Sequence, residues 1–278
     1  MIRSNAHKYS ISALCKCLGI ARSTYYYEVR QPPDESDLET KISKVYYENR
    51  QAYGSRKIQK ELAKQGCCTS RRRICRLMRK LGLESAYSKS KYRTHSKNCN
   101  EADIPNALNR QFDGQKQYGV IVSDLTYVRV NYKWNYVCIL LDLFNRQIIG
   151  YSAGSHKNAE LVYNALATVD TDLRNIKMFH TDRGSEFNNS LIDDVIATFD
   201  IRRSLSLKGC PYDNAVAEST FKIFKAEFVY GRNFPNLNSL KLELGDYVHW
   251  FNHFRLHSSL GYLSPVDFKA KTLTNLSD

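Results

Sequence analysis

Residues 118–130 read Y-G-V-I-V-S-D-L-T-Y-V-R-V, and residues 133–144 read K-W-N-Y-V-C-I-L-L-D-L-F. Both runs are rich in β-branched and aromatic residues, and the Asn131-Tyr132 pair between them predicts a turn, so together they predict a β-hairpin. Q-I-I-G-Y-S-A at 147–153 extends the sheet. Further along, Asn158–Leu173 reads as a helix and I-K-M-F-H-T-D at 176–182 as a short strand ending on Asp182. A helix near Asn188–Phe199, a strand at Arg202–Leu207 and a helix over Ala215–Tyr230 complete the series. Three antiparallel strands followed by helix, strand, helix, strand and helix predict an α/β domain whose mixed sheet is covered on both faces.

Chemistry-bearing residues fall at particular points of that pattern. Asp124 is a lone charge inside an apolar strand run. Asp182 stands at a strand end, with Gly184 two residues later to let the chain turn. In the 215–230 helix, Ala217, Phe221, Phe224 and Phe228 form one apolar stripe, and Glu218, Lys222 and Lys225 share an adjoining face at i, i+4 and i+7. Three carboxylates from separate elements suit a hard divalent cation, which takes oxygen ligands. Two such ions about 4 Å apart stabilise the attacking and leaving oxygens of a phosphoryl displacement. Rival readings stand beside this one. Asp142 is a competing carboxylate on the partner strand, Asp213 and Asn214 read as an N-cap, and Glu218 with Lys222 reads as an ion pair. His180 is either a residue that orients Asp182 or an ordinary buried histidine. His249, His253 and His257 recur every four residues on a helix, with no nearby ligand to complete a zinc site.

Charge divides the chain. Residues 1–100 hold 22 Lys and Arg against 8 Asp and Glu, and the remainder 19 against 20, so the front third carries all of the net +13. A basic module joined to a near-neutral one reads as a DNA-binding part feeding a catalytic part. In residues 10–27, Ile11, Leu14 and Leu18 precede Gly19 and a short polar helix with Arg22, Ser23 and Thr24, the layout of a helix-turn-helix. Pro32-Pro33-Asp34 breaks structure. A helix near Leu38–Asn49 then precedes a second one opened by Gly54 and closed by Gly66. Ser70 caps a third helix, in which Ile74, Leu77, Met78 and Leu81 form a stripe. Arg71, Arg72, Arg73, Arg76, Arg79 and Lys80 cover much of the rest, a density of charge that calls for an anion. Residues 85–112 are polar, with Lys89, Lys91, Arg93 and Lys97, and read as a linker. The eight cysteines form no C-x-x-C pair, which argues against a zinc module or a disulfide framework and for a reducing compartment. No apolar signal region opens the chain and no run approaches a membrane span.

The words around these residues carry a resemblance. S-D-L-T-Y-V, H-T-D-R-G-S-E-F at 180–187, P-Y-D-N-A-V-A-E-S-T-F-K-I-F-K-A-E at 211–227 and F-N-H-F-R-L-H-S-S-L-G-Y-L-S-P at 251–265 are similar to the second-frame (OrfB) transposases of bacterial insertion sequences. Asp124, Asp182 and Glu218 resemble the DDE signature of their retroviral-integrase-like cores. Ile121 stands where the family often has Trp, Ser123 where Thr is usual, and Leu256 where the terminal motif usually has Pro. These are packing or local-backbone positions.

The resemblance implies an RNase H-like core preceded by all-α helix-turn-helix modules. The segments expected are 1–33 (helix-turn-helix), 34–84 (second helix-turn-helix), 85–112 (basic linker) and 113–275 (catalytic core with C-terminal helices). It implies cleavage and joining of DNA strands at an element's ends, with Asp124, Asp182 and Glu218 holding Mg2+ or Mn2+, expected as two ions. DNA contacts are expected from Lys222, Lys225, Arg71, Arg72, Arg73, Arg76, Arg22 and Arg255. Double-stranded DNA, further copies of the chain and an upstream-frame protein are the expected partners, in a bacterial cytoplasm close to the nucleoid. The alternatives are an RNase H-like nuclease without strand transfer and an inactive DNA-binding regulator.

Overall fold

In the computed structural model, which describes residues 1–27, 34–89, 105–207 and 211–274, the period-two stretch becomes the centre of a five-stranded sheet of order β3-β2-β1-β4-β5. Strands β1 (Val120–Val130) and β2 (Lys133–Asp142) pair antiparallel with Asp124 opposite Ile139, and β3 (Ile148–Gly154) pairs antiparallel with β2. Asn131 and Tyr132 both adopt positive φ, 42° and 63°. A two-residue turn of that kind matches the right-handed twist of the strands it joins. The remaining strands, β4 (Met178–Thr181) and β5 (Arg202–Leu205), run parallel to β1. The expected α/β mixed sheet is therefore present.

Among the described residues, the sheet is preceded by seven helices: α1 (Ile2–Asn5), α2 (Ile11–Cys17), α3 (Arg22–Tyr26), α4 (Ser36–Glu48), α5 (Ser55–Lys64), α6 (Arg71–Lys80) and α7 (Ala86–Lys89). Five more lie within and after it: α8 (Ala159–Ala167), α9 (Ser190–Thr198), α10 (Ala215–Phe224), α11 (Leu237–His253) and α12 (Pro265–Thr274). On one face, Ile121, Leu125, Cys138 and Leu140 bury against Leu161, Val162 and Ala165 of α8 and Ile192 of α9. Gly150 is required where α8 crosses β3, since a Cβ there would lie 2.5 Å from the Ala165 carbonyl oxygen. Helix α11 packs on the edge strand β3: a Cβ on its Gly245 would lie 3.3 Å from the Tyr151 hydroxyl, and Asn252 exchanges two hydrogen bonds with the Ile148 backbone, at 2.9 and 2.8 Å. The stripe predicted for α10 is buried, and its Phe224 packs with Phe228 and Tyr247.

The chain forms two compact units, residues 1–38 and 39–278. Within the first, the Ser10 hydroxyl caps α2, and Gly19, at φ 64°, turns the chain toward α3. Within the second, α4, α5 and α6 enclose Ile42, Tyr53, Ile58, Leu62, Ile74 and Leu77, all fully buried. Ser70 caps α6 by accepting from the Arg73 amide at 3.2 Å, and Gly82, at φ 66°, ends it.

The 85–112 stretch, read as a polar linker, is anchored at both of its described ends: α7 docks through Tyr87, and the amides of Ala107 and Leu108 donate to Ser204 Oγ at 3.0 and 3.3 Å. Buried Leu108 explains the docking, as one apolar side chain in a polar stretch leaves no periodicity to read. Lys91, Arg93 and Lys97 lie outside the described residues, as do Pro32 and Pro33.

Candidate active site

Parallel pairing of β1 with β4 decides where the two aspartates go. Val122 pairs with His180, and two residues further along that register come Asp124 and Asp182. The ladder ends at Val122 and His180 and β4 at Thr181, so both acids lie just past it, at the same end of two neighbouring strands. Asp124 is only 8% exposed, and its Oδ1 accepts from the Leu125 amide at 2.8 Å. Asp182 Oδ1 accepts from the Gly184 amide at 3.0 Å, closing the turn that Gly184 permits.

Glu218 comes from α10, which packs against β1. Its side chain is 40% exposed, and Oε2 lies 4.0 Å from Lys222 Nζ, so the ion-pair reading of Glu218 describes its present geometry. Such an exposed pair contributes little stability, of order 0–1 kcal/mol. Among the described residues, no three His, Cys, Asp or Glu side chains are gathered closely enough to hold a metal ion between them. The donor set is all carboxylate oxygen, which suits a hard divalent cation.

The predicted lysine face is interrupted just past Lys222. Helix α10 ends at Phe224, and Lys225–Val229 winds as a single π-helical turn. Such turns insert one extra residue into a helix. Lys225 Nζ sits 4.7 Å from the centre of the Tyr127 ring, three residues beyond Asp124 on β1.

The π turn also delivers an acid that the sequence reading did not single out. Glu227 is buried, and both its carboxylate oxygens accept from Arg255 Nε, at 2.9 and 2.8 Å. Tyr247 donates to it at 3.0 Å, and Tyr87 of α7 donates as well. Burial alone would raise the Glu227 carboxyl, but Arg255, then Lys57 and Tyr87, hold it below the usual range. Lys57 Nζ makes no hydrogen bond among the described residues and lies 4.9 Å from the Tyr53 ring centre. Burial, followed by repulsion from Arg255, lowers its pKa to about 7. Tyr53 completes the joint, donating to the Phe254 carbonyl at 3.2 Å and accepting from the Leu256 amide at 2.8 Å.

Arg255, expected on DNA, is thus 3% exposed and turned into the protein, its charge matched by Glu227. His257, expected on the same helix as His249 and His253, lies past the end of α11, and its Nε2 accepts from Arg255 Nη1 at 3.0 Å. His249 and His253 stack on each other at 4.5 Å.

The other rival residues have structural positions. Asp142 is buried and accepts from the amides of Tyr118 and Phe144, both at 3.0 Å, while burial raises its pKa. Asp213, expected as an N-cap, instead binds Arg110 at 2.7 Å and the Leu207 amide at 3.0 Å; Asn214 occupies the cap position without a side-chain bond. His180 bonds Ser204 Oγ at 2.8 Å and the Asp213 carbonyl at 3.0 Å, and burial lowers its pKa. It therefore ties β4 to β5 and to the segment that leads into α10. A fourth acid, Glu186, lies four residues beyond Asp182. It is buried, pairs with Lys157 at 2.9 Å, and folds back over Gly184 beside Asp182. Its one signal is Gly184, where a Cβ would lie 2.4 Å from Glu186 Oε1.

On α6, Arg71, Arg72, Arg76 and Arg79 are exposed and Arg73 partly so. A cleft of about 530 Å³ runs beside them, lined by Ser70, Arg72, Arg73, Cys75, Arg76 and Arg79. Arg22 is exposed at the first position of α3.

Comparison with known proteins agrees with this architecture. An HTH-like domain model matches residues 33–91, and two integrase core domain models match residues 114–211 and 218–273. The chain is 30% identical over 243 residues to the transposase for insertion sequence element IS904 of Lactococcus lactis, covering 86% of this chain and 96% of that protein. It is 29% identical over 269 residues to transposase InsK for insertion sequence element IS150 of Escherichia coli K12, covering 95% of each. Among solved structures, it is similar to a chain of the simian T-cell lymphotropic virus intasome in complex with PP2A regulatory subunit B56 gamma. That match has a TM-score of 0.44 and 12% identity, over 82% of this chain and 73% of that one. The five-stranded mixed sheet is thus an RNase H-like integrase core behind an HTH-like domain, and the chain belongs to the transposases of insertion sequence elements.

Proposed function

We propose that the chain cuts DNA at the ends of an insertion sequence and joins the freed 3′ ends to target DNA, with Asp124, Asp182 and Glu218 as the catalytic acids. The observation that supports this reading is the parallel β1–β4 register, which sets Asp124 and Asp182 at the same end of neighbouring strands, with the Glu218 helix packed on β1. All three residues offer hard oxygen donors and would hold Mg2+ or Mn2+, with two ions as the fullest occupancy. When bound, such ions supply charge neutralisation and an activated oxygen nucleophile for attack on a phosphodiester.

The chain's own residues do the positioning. Lys222 of α10 and Lys225 at the start of the π turn bind phosphates of the reacting strand. Backbone amides of Leu125 and Gly184 fix the two aspartates in orientation. The α6 arginines, with Arg22 on the first helix-turn-helix, neutralise duplex phosphates and supply most of the sequence-independent affinity. Arg255 is left out of this set because its guanidinium is committed to Glu227. The chain works as an oligomer on DNA and in partnership with an upstream-frame protein.

Asp182→Asn tests the assignment. The variant loses Mg2+-dependent cleavage and joining while it keeps DNA binding; full activity in Asp182→Asn rejects it. Supplying pre-cut ends separates strand transfer from plain nuclease action, because joined product forms only under the first.

A further inference from the structure

We propose that the exposed end of the β1–β2 hairpin is a stacking surface for the unpaired bases of a DNA strand. This rests on the strand-transferase reading for the identity of that strand, though its test reads binding alone.

Strict alternation puts Tyr127 and Arg129 of β1 and Trp134 of β2 on the sheet face that, nearer the middle, carries Leu125, Cys138 and Leu140 under α8 and α9. At the hairpin end that cover stops. Tyr127 is 43%, Trp134 56% and Tyr132 80% exposed. The rings are nonetheless held in place: Tyr127 and Trp134 meet edge to face at 5.1 Å, and the Arg129 guanidinium lies 5.5 Å from the Tyr132 ring centre and 5.8 Å from that of Trp134. Lys225 extends the row by sitting over Tyr127. The turn itself is fastened by the Asn131 amide, which donates to the Phe234 carbonyl at 3.0 Å.

Three large aromatic rings interleaved with cations are poorly suited to an apolar protein partner, which would leave the charges unmatched. A single DNA strand matches both features, its phosphates meeting the cations and its base faces meeting the rings. A duplex keeps its base faces in its own stack and would meet the cations alone. Tyr127 is three residues along β1 from Asp124, about 10 Å, and its side chain leaves the opposite face of the sheet from that of the acid.

The chain has two tryptophans, and Trp250 is only 6% exposed, so fluorescence quenching by added DNA reports on Trp134. The full chain is titrated with an oligothymidylate of about 12 nucleotides and, separately, with a duplex of equal length. Oligothymidylate is expected to quench the wild type. Trp134→Leu, followed by anisotropy of labelled DNA, is expected to bind it about tenfold more weakly while duplex affinity is unchanged. Trp134→Phe, which keeps a ring, is expected to recover most of the loss. Unchanged oligothymidylate affinity in Trp134→Leu overturns the proposal. So does an equal loss on single strand and duplex, and so does a fall in oligomeric mass by light scattering, which would assign the surface to a second copy of the chain.

Discussion

Glu227→Gln is the substitution whose cost is best fixed by the structure. Four segments converge on this carboxylate: Arg255 beyond α11, Tyr247 within α11, Tyr87 of α7, and the π turn itself. Neutralising it leaves Arg255 buried beside Lys57, two cations with no buried acid between them. Breaking a buried pair by removing one partner costs about 3–5 kcal/mol. The Lys57 pKa of about 7 lets that amine release its proton, which moves the expected loss toward the lower end. For a cooperative unit of this size each kcal/mol corresponds to about 2–4 °C in Tm, so the transition of residues 39–278 is expected to fall by roughly 6–20 °C. Urea and thermal unfolding measure it. Replacing both partners, as Glu227→Met with Arg255→Met, is expected to regain much of the loss, because no charge is then left unmatched. A Glu227→Gln protein within about 1 kcal/mol of wild type refutes the reasoning and makes the pair incidental to the joint between the helix-turn-helix and the core.

Two further outcomes follow from the same geometry. His180 and His257 are held below their ordinary pKa of 6.5, chiefly by burial. Between the folded values and 6.5 the unfolded chain binds more protons, so stability rises with pH through that window and is lost on acidification below about 6.5. Urea midpoints between pH 7.5 and 5 are expected to show that fall, and His257→Gln to reduce it. Gly184→Ala drives a Cβ against the buried Glu186 carboxylate and is expected to cost about 1–3 kcal/mol; Glu186→Ala in the same chain is expected to restore stability by making room, which paired denaturation curves check.

The sheet was readable because its signals are local. Alternation in β1 and β2, the Asn131-Tyr132 turn and the apolar stripe of α10 each require only neighbouring residues, and tertiary packing did not override them. The same holds for α6, where the Ser70 cap, the Ile74 stripe and Gly82 mark both ends and the buried side. What stayed hidden depends on distant partners. Glu227 sits among Phe224 and Phe228, and nothing nearby announces that Arg255 will meet it. A π turn has no distinguishing composition, so the inserted residue that points Glu227 inward could not be foreseen. Arg255 reads as a DNA-contacting or packing residue from its place in the terminal motif, and its partner acid lies 28 residues away. Asp124 in a strand and Asp182 at a strand end are legible locally, whereas their placement at the same end of neighbouring strands is a property of the β1–β4 register.

The central claim is that Asp124, Asp182 and Glu218 share divalent ions. Mn2+ binding by electron paramagnetic resonance, in wild type and in Asp124→Asn, Asp182→Asn and Glu218→Gln, tests it most directly, with DNA ends present in every sample. The account predicts that each substitution weakens or removes bound Mn2+ while DNA affinity persists. A Glu218→Gln protein that binds Mn2+ as tightly and in the same number as wild type would contradict it, leaving the two strand acids as a site to which the α10 helix contributes nothing.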